Sequence, residues 1–180
     1  MDLVLKYKKE IKPELAKELG ISNLMAVPKL EKIVVNVGVG EALTNKKALD
    51  IVSEHLALIT GQKPLATKSS RAISGFKLRA GKAIGLKVTL RKRRMYDFYR
   101  RLTDIVLPRL RDFRGIDPKA FDKQGNISIG FSEYSVFPEM DSIDTSEYRG
   151  MQVTIVTSAK KDEHARKLLE KLGFPFTKEE

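Results

Sequence analysis

The chain has 180 residues, with 34 Lys or Arg against 23 Asp or Glu, two His and no Cys. A chain of that length fits one domain and buries roughly 70% of its unfolded surface, and a hydrophobic share of 42% excludes wholesale disorder. The absence of cysteine excludes disulfides, thiol nucleophiles and thiolate metal sites.

The first segment, Met1 to Gly20, mixes Asp2, Lys6, Lys8, Lys9 and Glu10 with apolar residues, unlike the uninterrupted apolar centre of a signal peptide. No apolar run approaches the ~20 residues that span a bilayer. The expectation is a soluble cytoplasmic protein with no membrane partner. It is read as a single domain, 1–180, with an N-terminal helix over 1–20 and a sheet-and-helix body over 25–180. Leu3, Tyr7, Ile11, Leu15 and Leu19 recur every four residues, which predicts an amphipathic helix ending at Gly20. Pro13 interrupts it, so a kink or restart is expected there.

Ile33 to Val37 is a β-branched run between Pro28 and the glycines Gly38 and Gly40, a predicted strand. Thr44 or Asn45 can cap a second helix whose Leu49, Val52, Leu56 and Ile59 share one face, with Gly61 as its stop. Lys63 to Ser69 reads as extended. Ile73 to Leu78 and Ile84 to Arg91 are predicted as the two arms of a hairpin around Arg79 to Lys82.

A third helix is expected from about Arg93 to Leu107. Its apolar stripe is Met95, Phe98, Tyr99, Leu102, Ile105 and Val106, and Pro108 limits it. Asp112 to Gly125 reads as a long loop. Ile127 to Phe131 and Met151 to Thr157 are further strands, and Asp162 to Leu172 is a last helix closed by Gly173. The fold class is α+β: a mostly antiparallel sheet with helices packed on one face and the other face open.

Charge is concentrated in one segment. Gln62 to Arg94 holds eleven Lys or Arg and no acid. Subtracting those eleven leaves 23 basic residues against 23 acidic elsewhere, so the whole excess of +11 sits in this stretch. Such a local field attracts polyanions. Strand alternation puts Leu86, Val88 and Leu90 on one side and Lys87, Thr89 and Arg91 on the other. Asn36, Asn126, Ser128, Gln152 and Thr154 fall on the corresponding polar side of the other strands. A face with donors and cations but no carboxylate suits phosphate and ribose oxygens. It carries no outward aromatic residue, which favours a folded RNA held by backbone and shape over threaded unpaired bases. Nothing has a helix-turn-helix signature, so DNA is second choice.

Catalytic patterns are weak. Gly75 to Lys82 approaches a phosphate-binding loop, but five residues separate its glycines and Ala83 follows Lys82, so the magnesium-binding hydroxyl is missing. Gly38-Val-Gly40 fails as a dinucleotide motif because Leu43 takes the third glycine position. His55 and His164 are predicted on polar helix faces, without a second His, so no metal site is expected. No catalytic residue, cofactor or metal is assigned; the chain is read as a binding protein, with a small phosphotransferase or a general nucleic-acid chaperone as alternatives. Pro138 to Gly150 carries Glu139, Asp141, Asp144 and Glu147 against Arg149, a patch able to meet a basic protein.

Several stretches together are similar to the bacterial 5S rRNA-binding protein family of the large ribosomal subunit. They are Val27-Pro-Lys-Leu-Glu-Lys-Ile33, Asn36-Val-Gly-Val-Gly-Glu41, Ile59-Thr-Gly-Gln-Lys-Pro64, Gly75-Phe-Lys77, Lys87-Val-Thr-Leu-Arg91, Pro108-Arg-Leu-Arg-Asp-Phe-Arg-Gly115, Phe137-Pro-Glu139 and Phe174-Pro-Phe176. The resemblance implies an α+β fold docked as a monomer in the central protuberance of the ribosome. It implies contact with 5S rRNA, 23S rRNA, the P-site tRNA and a basic protein of the small-subunit head. Matching positions for 5S rRNA are Asn36, Gln62, Lys63, Thr67, Lys68, Lys87, Thr89 and Arg91. Ser70 stands where the family commonly has a basic residue, and Arg71 beside it joins this set. Lys77, Arg79 and Lys82 match the tRNA-facing loop, and Asp141, Asp144 and Glu147 the small-subunit bridge. The chain departs from the family at Lys123-Gln124 and at Ser132 and Tyr134, which flank Glu133.

Overall fold

A computed structural model describes residues 3–45, 47–111, 113–141, 143 and 149–177. Five strands, β1 (Leu30–Gly38), β2 (Leu65–Lys68), β3 (Ala83–Leu90), β4 (Ile127–Phe131) and β5 (Met151–Thr157), form one antiparallel sheet in the order β2-β3-β1-β5-β4. With its helices this is the α+β class. The chain forms two compact units, one of Met1–Ile33, Arg91–Ile129 and Thr154–Glu180, the other of Val34–Leu90 and Gly130–Val153.

In the first unit, helix α1 consists of Leu3–Lys6, a π turn Tyr7–Ile11, and Lys12–Glu18. The π turn explains the strict four-residue spacing. An ideal α-helix drifts by about 40° over four residues, which would carry Leu19 far from the line of Leu3. A wider turn slows that rotation and keeps Tyr7, Ile11 and Leu15 buried together. It also serves Pro13. The N–H of Lys12 bonds five residues back to the carbonyl of Tyr7, so the ladder is rerouted just before the residue that cannot donate. The restart expected at Pro13 therefore takes the form of a wide turn.

The same device recurs in α3, made of Lys92–Arg101, a π turn Leu102–Val106, and Leu107–Arg109. Here the N–H of Leu107 reaches the carbonyl of Leu102, immediately before Pro108. The slower rotation corrects one sequence expectation. Ile105, placed in the apolar stripe, is 42% exposed, whereas Thr103 and Leu107 are buried with Phe98, Tyr99, Leu102 and Val106. Helix α1 packs on α3. Its outer side meets α4 (Asp162–Lys171), where Lys171 Nζ lies 3.0 Å from Glu14 and 3.3 Å from Glu18.

The loop before β4 contains Gly115 at φ +103°, where an added Cβ would sit 2.5 Å from the backbone nitrogen of Thr177. Ile116 bonds through its N–H to Pro175 at 2.9 Å and through its carbonyl to Thr177 at 3.1 Å. Only glycine allows that close passage. On β4 and β5, Ser128 and Thr154 face each other with hydroxyls 2.9 Å apart. Asn126 is half-buried rather than displayed; its amide donates to Asp122 at 2.8 Å, and its carbonyl accepts from the Thr157 N–H at 3.3 Å.

In the second unit, Asn45 caps helix α2 (Lys47–Thr60) by accepting from the Lys47 N–H at 3.1 Å. Helix α2 packs on β3. His55 corrects a second expectation. It lies on the buried face with Val52, Leu56 and Ile59, and its Nδ1 is 3.0 Å from the Tyr134 hydroxyl. Position 55 is three residues from Val52 and four from Ile59, so a helix turns it to the core. Burial holds its pKa below the ordinary value; the charge of Glu54 opposes this and that of Arg149 adds to it. Arg149 in turn donates to Glu41 at 2.7 Å.

A third correction concerns the hairpin. The partner of β3 is β2, paired Leu65 with Lys87, Ala66 with Leu86 and Thr67 with Gly85, not the segment Ile73 to Leu78. Those two residues make only an isolated bridge within the connecting loop.

Candidate nucleic-acid interface

The candidate interface in the second unit is built on β2 and β3. Directly paired residues share a side of the sheet, so Leu65 and Thr67 lie on the side of Lys87 and Gly85. Ala66 pairs with the buried Leu86 on the opposite side. Lys87 is exposed and Thr89 half-buried. Gln62, between α2 and β2, donates from Nε2 to the Thr89 carbonyl at 3.3 Å. Its own backbone carbonyl accepts from the Thr60 hydroxyl at 3.0 Å.

Strand pairing sets Thr67 of β2 on the same side as Lys87 and Thr89 of β3, and the bond to the Thr89 carbonyl brings Gln62 against the same strand. Gly85 sets the spacing: an added Cβ would fall 2.8 Å from Thr67 Oγ1 and 3.0 Å from the Val37 carbonyl. Thr67 is thus drawn in over Gly85, next to β1. Asn36 on β1, Lys63, Lys68 and Arg71 are exposed. Arg91 is also exposed; it is the residue before α3 and belongs to the first unit.

The loop between β2 and β3 presents Lys77, Arg79 and Lys82, all exposed. It is tied at its base, where Ser69 donates to Lys82 at 2.8 Å and Gly81 to Ser69 at 2.8 Å. Within it a turn over Ser74–Phe76 ends on Lys77, which adopts the left-handed conformation at φ 51° and donates its N–H to Ser74 at 2.9 Å. A lysine there bears a strain of about 1 kcal/mol that glycine would not, so the turn fixes where this cation stands. Asp141 is exposed; Asp144 and Glu147 lie outside the described residues.

Two residues on this surface escaped sequence reasoning. Leu65 is 69% exposed beside Lys87, and Phe76 is 72% exposed in the basic loop. Leu65 reads as core in a sequence pattern, because its exposure depends on β2 being the sheet's end strand. Phe76 had a signal, a large aromatic between Gly75 and Lys77, but the flanking motif drew attention to its glycines. Among the described residues no group of His, Asp and Glu comes together as a metal site, and no helix is long and apolar enough to cross a membrane.

Two family models cover most of this sequence. Residues 23–79 match ribosomal protein L5, and residues 83–176 match the ribosomal L5P family C-terminus. The chain belongs to the ribosomal protein L5 family. Relatives named large ribosomal subunit protein uL5 agree with this. That of Syntrophomonas wolfei is 53% identical over 170 residues, 94% of this chain and 96% of its own. That of Dichelobacter nodosus is 54% identical over 170 residues, 94% of this chain and 95% of its own. The uL5 of Thermosipho africanus is 53% identical over 171 residues. Membership of the L5 family makes the chain a ribosomal protein, structural rather than catalytic. Tyr134, named above among the departures from the family pattern, is buried and bonded to His55.

Proposed function

We propose that this L5-family chain is a constituent of the large subunit of the cytoplasmic ribosome and holds 5S rRNA on the open outward side of β1, β2 and β3. The observation that carries the reading is the acid-free strand face on which Gln62, Thr67, Lys87 and Thr89 converge. Lys63, Lys68, Lys87 and Arg71 supply charge to phosphates. Asn36, Gln62, Thr67 and Thr89 supply short polar groups to ribose hydroxyls and base edges. Arg91 is assigned to the same RNA. Short polar side chains without rings suit a folded helix recognised by its shallow groove and backbone.

In the same proposal the loop carrying Lys77, Arg79 and Lys82 reaches the P-site tRNA, 23S rRNA is a second RNA partner, and the segment of Asp141, Asp144 and Glu147 bridges to a basic protein of the small-subunit head. The test is salt titration of 5S rRNA binding. If ~6 phosphates are neutralised, log affinity falls against log salt with a slope of about −5. Lys87→Ala with Lys68→Ala makes that slope shallower by about two. A flat dependence, or an unchanged slope in the double variant, overturns the assignment of this face.

A further inference from the structure

A second surface lies within the first unit and shares no residue with the strand set assigned above. Helix α1, the short turn Leu24–Ala26 and the start of α3 enclose a groove of about 240 Å³. Its rim bears Lys8, Lys12 and Lys29, and among the described residues no carboxylate lines it. Its apolar lining includes Leu24 and Met25, exposed by 52% and 79%, and the ring of Tyr96. The groove is held open by fixed parts. Tyr7, which also lines it, donates its hydroxyl to the Pro28 carbonyl at 2.8 Å, and burial with the neighbouring Tyr96 pushes its pKa up to about 12. The side chain of Asn23 accepts from the Met25 N–H at 2.9 Å and holds the turn that presents Met25.

We infer that this groove takes one unpaired nucleotide of ribosomal RNA, its base against Tyr96 and Met25 and its phosphate among Lys8, Lys12 and Lys29. Each part of the chemistry points that way. An aromatic face and a polarisable thioether make a stacking platform that accepts any base. Three ammonium groups, with no carboxylate among the described lining residues, fit a phosphodiester. The volume is below the about 300–1,000 Å³ of ordinary ligand clefts; it suits one nucleoside and is too small for a docked helix. The contrast with the strand face is chemical. There the polar residues lack rings and suit paired RNA, whereas here the rings are present and the polar residues are peripheral. This site stands independently of the 5S assignment.

The test uses the full chain and two probes, a short uridine-rich single strand carrying thiouridine and a fully paired RNA hairpin. Irradiation is expected to cross-link the single strand to the peptide containing Met25 or that containing Tyr96. Tyr96→Leu is expected to weaken the single strand roughly tenfold, from the loss of one stacked base, while Tyr96→Phe retains affinity. Met25→Ala, at a residue too exposed to matter for folding, weakens the same probe, and hairpin binding stays unchanged in all three variants. Equal losses on both probes, cross-links outside the groove, or wild-type affinity in Tyr96→Leu and Met25→Ala would each overturn the inference. So would a photoreactive residue at position 25 that captures a protein instead of RNA in assembled subunits.

Discussion

Gly85→Ala measures how tightly the candidate interface is drawn together. The methyl group would enter at 2.8 Å from Thr67 Oγ1 and 3.0 Å from the Val37 carbonyl. Val37 lies inside the sheet on β1 and cannot retreat, so the edge strand β2 must yield and carry Thr67 with it. Overpacking of this kind costs about 1–3 kcal/mol. The backbone at Gly85 is not left-handed, so alanine gains about 0.4–1 kcal/mol by restricting the unfolded chain. The expected net loss is about 1–2 kcal/mol. Thr67→Ala removes the nearer obstacle, so the double variant should recover part of the loss, with a coupling of about 1 kcal/mol. Urea unfolding followed by circular dichroism supplies the four stabilities, and 5S rRNA affinity is measured in parallel. A neutral Gly85→Ala, or strict additivity with Thr67→Ala, would refute the claim that a bare α-carbon on β3 is what lets Thr67 of β2 close over Gly85.

Other outcomes follow from the same surfaces. His55 is buried with its pKa lowered, so the unfolded chain binds its proton first. The stability that this group contributes is complete above its unfolded pKa of about 6.5 and declines as the pH falls below it, by at most about 1.4 kcal/mol per pH unit. His55→Gln keeps a partner for Tyr134 but does not titrate, and thermal unfolding between about pH 5 and 6.5 should lose this slope; an unaltered slope would show that His55 does not govern it. Lys77→Ala with Arg79→Ala should spare 5S rRNA binding and weaken P-site tRNA retention in ribosomes; loss of 5S binding instead would put the loop on the wrong RNA. Gln62→Ala removes the bond to the Thr89 carbonyl, costs about 0.5–1.5 kcal/mol of stability and lowers 5S affinity. Unchanged binding would make Gln62 a brace for β3 alone.

Much of the fold was legible because hydrophobic period and breaker residues agreed. Strands β4 and β5 were read with their observed limits, and α2 with its Gly61 stop and with Asn45 as one of two candidate caps. The misreadings have separate physical causes. Lys63 to Ser69 was rightly read as extended, but its pairing with β3 was missed: β2 is short and at the end of the sheet, so its Leu65 is exposed and nothing in Leu65 to Lys68 alternates cleanly. Ile73 and Leu78 looked more like a strand arm, yet each finds only the other across a narrow loop. Ile105 was misplaced because an ideal helical period was assumed across a π turn. For His55 the helical spacing was available, but its partner Tyr134 stands 79 positions away, and a polar residue without a visible partner reads as exposed. At the candidate interface, charge and alternation pointed to Lys87 and Thr89. They could not reveal that Gln62 reaches across to Thr89, a contact made by the chain's return from α2 to the sheet.

Lys77 separates two properties that usually travel together. Its backbone is set by a turn that glycine or asparagine could also adopt, whereas its ammonium group is a matter of side chain alone. A glycine there would leave the path of the basic loop intact and silence one cation; an alanine would silence the same cation and leave the strain. Comparing the two in the proposed tRNA-retention assay disentangles what this projection would offer a partner: the trace of its main chain, or the electricity it carries.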